Sequence, residues 1–453
     1  MRKYLRHRSL SEKQAMLAIK YDRRKLFAVF LVLLAAQIID LTIGNLADVM
    51  KDFAGSFWGV TIFITVAAIC SFGQYFVLAL VRGKNKEAQI KKANLSKLEV
   101  AVLVAQCLLI SLLVFLVLQI IFDSQYYTFL LILGSAISYG LAACLMAILG
   151  YLLFSWFRIN KTLVVLLYGL GAVVTALNVV DIAVIFGTLL QNKDIIISPQ
   201  SEVIFVMADP ILNTIQGVSA VLVFILLWSG TILLLYHNLQ KVGKIKFWTL
   251  VTTPLIFFAS FYISYFGVLN FGPPEDPANI VIPVLAILSS TIVGLVLFGL
   301  AFHSVAWSLG SSQVKDFMTI TGYGLILFFT ASNTTIAGTG YPPFGFVNVV
   351  LVGPLSFLIL SALYRSAITV AQDAKLRQSL RISLRKEVKL LDSIGRSEMQ
   401  KEIENKVFIA VKKNADILKH ESGVEPSLTV EEMRDLLEST LKTIRKDDKK
   451  GPR

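Results

Sequence analysis

The chain is 453 residues long, 55% hydrophobic and only 16% charged, with a formal net charge of +13 and a mean hydropathy of +0.70. A soluble globular domain carries about 25% charged residues, so this composition excludes a soluble fold for most of the chain. It points instead to an all-α polytopic membrane helix bundle.

Residues 1–25 form a basic N-terminus. Ten apolar segments follow, each long enough to cross about 30 Å of hydrocarbon: Leu26 to Leu46, Phe57 to Val81, Val100 to Phe122, Phe129 to Phe157, Leu163 to Leu190, Ile211 to Tyr236, Phe247 to Leu269, Ile280 to Phe302, Phe317 to Ala337 and Phe346 to Leu363. The first has full membrane length and no small-residue cleavage site after it, so it reads as a retained span. With the N-terminus inside, all Lys and Arg fall on the cytoplasmic side except Lys51 and Lys193. That asymmetry predicts ten spans in the cell membrane, multi-pass, with both termini cytoplasmic. The +13 charge is then a topology signal and gives no reason to expect nucleic acid.

External loops are short, and only Gln191 to Pro210 has room for a small structured element. Pro254, Pro283 and Pro354 fall inside spans, where proline marks a kink. The stiff, aromatic Tyr341-Pro342-Pro343-Phe344-Gly345 turn is expected to anchor at the outer interface. Cys70, Cys107 and Cys144 lie within spans and read as packing residues.

After the bundle (residues 26–363), residues 364–394 carry a four-residue step: Leu376-Arg377, Leu380-Arg381, Leu384-Arg385, Val388-Lys389. Such a step turns about 400° in a helix, so an apolar and a basic stripe run side by side. Arg377, Arg381, Arg385 and Lys389 would rest on membrane lipid headgroups or relay motion to the tail. Within residues 395–453, Ile394-Gly395-Arg396-Ser397 reads as a stop and restart, with Ser397 to Gln400 a capping box. Met399, Ile403, Val407 and Ile417 mark one amphipathic helix, and Thr429 to Glu432 caps another bearing Met433, Leu436, Leu437 and Leu441. A short cytoplasmic helical hairpin that docks a protein partner or forms a homodimer is expected.

Only Asp40 and Asp181 are carboxylates within spans, and intramembrane ionisable residues mark sites by default. Asn45, Asn178, Tyr265, Asn333 and Thr334 fall at comparable depth in spans of the same direction, as does Gln37. A shared outward-facing pocket would gather them, and the competing reading has each aspartate bonded to a neighbouring helix. No Lys or Arg lies within a span, which favours a cationic ligand, metal ion or proton over an anion. Walker, GxSxG and HExxH signatures are absent, so neither an enzyme nor a cofactor is expected.

The stretch from Tyr341-Pro342-Pro343-Phe344-Gly345 through Ser366 to Arg381 and on to Leu390 to Val407 resembles an uncharacterised archaeal family of polytopic membrane proteins, similar to kinase-less membrane sensor modules. The resemblance implies architecture more than activity. The expectation is an integral membrane receptor or signal-input protein that binds a small ligand, cationic in preference, from outside. A secondary transporter with five plus five spans, or an accessory subunit of a membrane complex, are the alternatives.

Overall fold

Hydrocarbon offers backbone groups no hydrogen-bond partner, so long apolar runs close their bonds internally as helices. The computed structural model describes residues 24, 26–46, 50–87, 93–191, 194–199, 210–236, 243–265, 281–308, 313–332, 340–372 and 389–422. Its helices are α1 (Leu26–Asn45), α2 (Lys51–Ala54), α3 (Phe57–Glu87), α4 (Ala93–Asp123), α5 (Thr128–Ile159), α6 (Leu163–Gln191), α7 (Pro210–Tyr236), α8 (Lys244–Tyr265), α9 (Val281–Ile292), α10 (Ala301–Ser308), α11 (Gln313–Ser332), α12 (Phe346–Gln372) and α13 (Lys389–Ser422). A π-helical segment, Val293–Leu300, joins α9 to α10.

Among the described residues, nine helices are long and apolar enough to cross a membrane. The ninth expected span, Phe317 to Ala337, overlaps α11, which falls short of that apolarity. Its first turns carry Lys315 and Asp316 and its middle reads Thr-Ile-Thr-Gly-Tyr-Gly. Those polar and small residues are tolerated because nearly all of α11 is buried against other helices. Lipid-facing side chains lie elsewhere: Phe57, Trp58, Trp248 and Trp307 are exposed near helix ends, where aromatic rings favour the interface.

The centre of the bundle is α12, whose membrane-length window is entirely buried. It packs on α11, α5, α13, α3 and α4. Lipid tails are as apolar as leucine, so little hydrophobic force drives helices together in a bilayer, and close approach of small residues does that work instead. The inner face of α12 supplies them: Ser356, Ser361, Ala362, Ser366 and Ala367 are all buried. Three of these serines return their hydroxyls to their own helix, at Val352 O (2.8 Å), Leu358 O (3.2 Å) and Leu363 O (2.7 Å).

Pro354 interrupts this helix and cannot donate to the carbonyl of Val350. Ser138 of α5 covers the break. Its Oγ donates to Val349 O (2.6 Å) and approaches Val350 O (3.3 Å), while accepting the Gly353 N–H (3.0 Å).

At the end opposite the basic residues, β1 (Tyr126–Tyr127) pairs antiparallel with β2 (Ile196–Ile197). The small element expected in the Gln191 to Pro210 loop is therefore this strand. The Tyr341-to-Gly345 turn is not an interfacial anchor, since Tyr341 and Phe344 are buried. Tyr126 Oη donates to Gly340 O (3.0 Å), and Phe344 meets Phe63 edge-on. An aromatic turn that faces protein on all sides works as a plug.

At the basic end, α13 folds back against α12, α5 and α6. The expected stop at Ile394 to Ser397 does not occur: α13 is one helix through Gly395. A Cβ on Gly395 would overlap Val370 of α12, so the glycine serves contact rather than termination. Ser397 builds no capping box, because its hydroxyl donates to Trp156 O (2.9 Å). Ser393 likewise reaches Asn160 O (3.4 Å), and Trp156 Nε1 donates to Glu398 Oε2 (3.2 Å). The carbonyls of Trp156 and Asn160 already accept the Asn160 and Thr162 N–H groups, so these side-chain bonds dock α13 on the end of α5. The expected boundary at 394/395 thus falls inside a docked helix. Nearby, Arg365 of α12 pairs with Glu99 of α4.

Replacing Ser138 by Ala should cost about 1–3 kcal/mol, because the Gly353 N–H and two carbonyls lose their partner. Thermal unfolding of purified protein measures it. Adding Pro354→Ala should recover much of the loss by restoring the helix's own ladder.

Candidate functional site

The residue that starts α12 cannot cap it. The preceding sequence, Tyr-Pro-Pro-Phe-Gly, supplies no Ser, Thr, Asp or Asn at the cap position, and the first N–H groups of any helix lack intrahelical partners. Asp40 of α1 fills this role from another helix. Its Oδ1 accepts the Gly345 N–H (2.8 Å) and its Oδ2 the Asn348 N–H (3.0 Å). A carboxylate at the positive end of a helix is the favourable polarity. Gly345 takes φ +90, a left-handed turn that glycine enters at little cost. Gly44 allows the approach: a Cβ there would sit 3.1 Å from both Gly345 N and Phe344 O.

One turn further along α1 the polar seam continues. Gln37 Nε2 donates to Leu327 O of α11 (3.3 Å), and Asn348 Nδ2 donates to Gln37 O (3.0 Å). Those two donors fix the amide orientations, since a flip would set oxygen against oxygen. The oxygens left over, Gln37 Oε1 and Asn348 Oδ1, have no hydrogen-bond partner, and neither end of Gln74 on α3 has one. Gln37 and Gln74 are 1% and 4% exposed. Both line a cavity of about 20 Å³, walled otherwise by apolar residues and by Pro354.

Asp181 lies in a different place. It is half-buried and accepts from Ser219 Oγ of α7 (3.4 Å), which also accepts from Asn178 Nδ2 (2.8 Å). This group tethers α6 to α7. The single pocket expected around both aspartates is not what the structure builds: each carboxylate is satisfied by its own neighbouring helix. Asn45 ends α1 and Tyr265 ends α8. Asn333, Thr334, Arg377, Arg381 and Arg385 lie outside the described residues, and Lys389 opens α13.

Grouping by helix direction is what misled the sequence reading. The partners of Asp40 and Gln37 sit at α12 and on α11, while Gln74 meets Gln37 across the cavity from α3; α3 and α12 run antiparallel to α1. Gln74 and Asn348 were visible as amides in apolar runs, which is the signal that finds them.

Among the described residues no three His, Cys, Asp or Glu side chains gather as a metal centre. A second cavity of about 40 Å³, apolar throughout, lies between α5, α6, α7, α11 and α12 and touches Ile394 of α13. Outside the spans, burial raises the Tyr126 and Tyr341 phenols above the ordinary tyrosine range, so both remain neutral donors near pH 7. Comparison with family models, with curated proteins and with solved structures finds no match. The geometry alone therefore carries the functional reading.

Asp40→Asn puts an NH2 against a backbone N–H and should destabilise the protein by about 1.5–3 kcal/mol, the range for hydrogen bonds to a charged group. Asp181→Asn keeps an acceptor for Ser219 and should cost under about 1 kcal/mol. Paired thermal melts test the contrast.

Proposed function

We propose that the chain is a signal-input protein of the cell membrane, with both termini cytoplasmic, in which α12 couples a polar site near the outer face to the cytoplasmic tail. The observation that carries this reading is that α12 is held at one end by Asp40 and carries α13 against its other end. A shift in the α1–α12 contact has a continuous path of packed helix to α13. Pro354 and its Ser138 bridge supply a point where the two halves of α12 can rearrange.

The exposed part of α13 suits an output element. Past Glu398 the helix passes from buried to half-buried and exposed positions, and Ile403 and Ile409 are exposed among charged residues. At 1.5 Å per residue the 34 residues of α13 extend roughly 50 Å. A cytoplasmic protein or a second copy of the chain would meet that surface. Membrane lipid covers the exposed apolar faces of α3, α4 and α7.

The second reading is a secondary transporter, favoured by the proline-interrupted α12 with unpaired amides beside it, since transporter sites form at broken helices. The docking of α13 onto the bundle through Ser393, Ser397 and Glu398 favours the relay.

Hydrogen exchange of the full chain in detergent separates the two. Under the relay, Asp40→Asn raises exchange in peptides from 389–400 about tenfold, equivalent to about 1.4 kcal/mol of lost local stability. Asp181→Asn leaves those peptides unchanged. Loosened exchange at 345–350 with no change at 389–400 would sink the relay.

A further inference from the structure

We propose that the apolar cavity beneath α13 binds one small apolar molecule of dissolved-gas or short-hydrocarbon size, and that this guest tightens the seat of α13 on the bundle. The inference goes beyond the relay from the outer face, because it uses neither Asp40 nor the amides near it.

The lining sets the chemistry. Met146 and Leu149 of α5, Ala172 of α6, Phe328 of α11, Ile359 of α12 and Ile394 of α13 are among its walls, and all six are buried. Two lining side chains carry a hydroxyl, Tyr168 and Thr175, and both are turned to other groups. Tyr168 Oη pairs with Thr231 Oγ1 of α7 (2.9 Å), and Thr175 Oγ1 donates to Gly171 O (2.7 Å). A buried water needs two to four polar partners, so this wall suits it poorly. Ions and polar solutes would lose their hydration with nothing in return. An apolar guest instead restores the dispersion contacts that lining atoms facing a void forgo.

Volume sets the size. The cavity measures about 40 Å³, whereas a water-sized sphere takes about 10–15 Å³ and an apolar cavity of about 150 Å³ admits benzene. A molecule of about three heavy atoms at most fits, and aromatic rings and lipid chains do not. Such molecules dissolve in hydrocarbon and reach the site from the bilayer itself, without an extracellular ligand domain.

Placement sets the consequence. Ile394 closes the cavity from α13 and is held on either side, by Ser393 Oγ against Thr162 Oγ1 (2.8 Å) and by Ser397 Oγ donating to Trp156 O (2.9 Å). The opposite wall includes Ile359 and Leu363 of the central helix α12. A guest between them gains contacts with Ile394 only while α13 is seated, so binding and docking are linked.

The test is hydrogen exchange of the purified full-length protein in detergent, equilibrated with xenon or with helium at equal pressure. Xenon at about twice its Kd should slow exchange at 389–400 about threefold, following 1 + [Xe]/Kd, and leave 345–350 unchanged. Ala172→Val places two more methyl groups in the cavity and should abolish the xenon response. If that variant does not fold, Leu149→Ala decides, because the enlarged cavity should strengthen the response and an unchanged response would overturn the proposal. Equal exchange under xenon and helium in the unaltered protein would overturn it in favour of a packing void only. A response that Ala172→Val retains would overturn it by placing xenon elsewhere. In Asp40→Asn the xenon response should persist, so a relay that fails its own test leaves the cavity site standing.

Discussion

The contact on which the bundle depends is the bond pair from the Asp40 carboxylate to the first N–H groups of α12. A helix with nothing but protein around it has no water to satisfy its free end groups. The chain before α12 is Pro-Pro-Phe-Gly and offers no local cap. Without a carboxylate arriving from α1, the central helix would begin with unsatisfied donors in an apolar interior, each costing roughly 1–3 kcal/mol. Asp40 thereby fixes the register of α1 against α12, and with it the placement of Gln37, Asn348 and Gln74.

The same problem recurs at Pro354 and is solved the same way, by a polar side chain from a different helix. There the missing N–H is bridged by Ser138 of α5. At the end of α5, Ser397 and Ser393 of α13 add a second bond to the carbonyls of Trp156 and Asn160 and so dock α13 there. These two repairs and the docking contact tie α1, α5 and α13 to one another through α12 and its neighbours. They also explain why the N-terminal part of α13 is an integral piece of the bundle.

The sites differ in what they leave over. Ser138 and Ser397 complete their surroundings. The Asp40 seam does not: its amide oxygens on α1 and α12, and both ends of Gln74 on α3, find no hydrogen bond from the protein. In a low-dielectric interior such groups are expensive, and they persist where function needs them. That surplus separates a candidate binding seam from a set of structural ties, and it is why Asp181, whose partners are supplied by Ser219 on the next helix, reads as a tie.

By itself the sequence determined that the chain forms long apolar helices, where most of them begin and end, and that Asp40 and Asp181 are the carboxylates exceptional for their depth. These follow from local quantities: run length against bilayer thickness, and the cost of charge in hydrocarbon. It could not determine that α12 is central and fully enclosed, because an all-round apolar helix looks alike whether it meets lipid or protein. It misread Gly395, since a glycine needed for contact with Val370 is indistinguishable in sequence from one that ends a helix. Only the tertiary structure decided which helices are neighbours, and so which polar atoms meet. It divided the two aspartates between a seam and a tether, and it brought Asn348 to Asp40 from a helix running the opposite way, because hydrogen bonds in a membrane interior are closed between helices as well as along the chain.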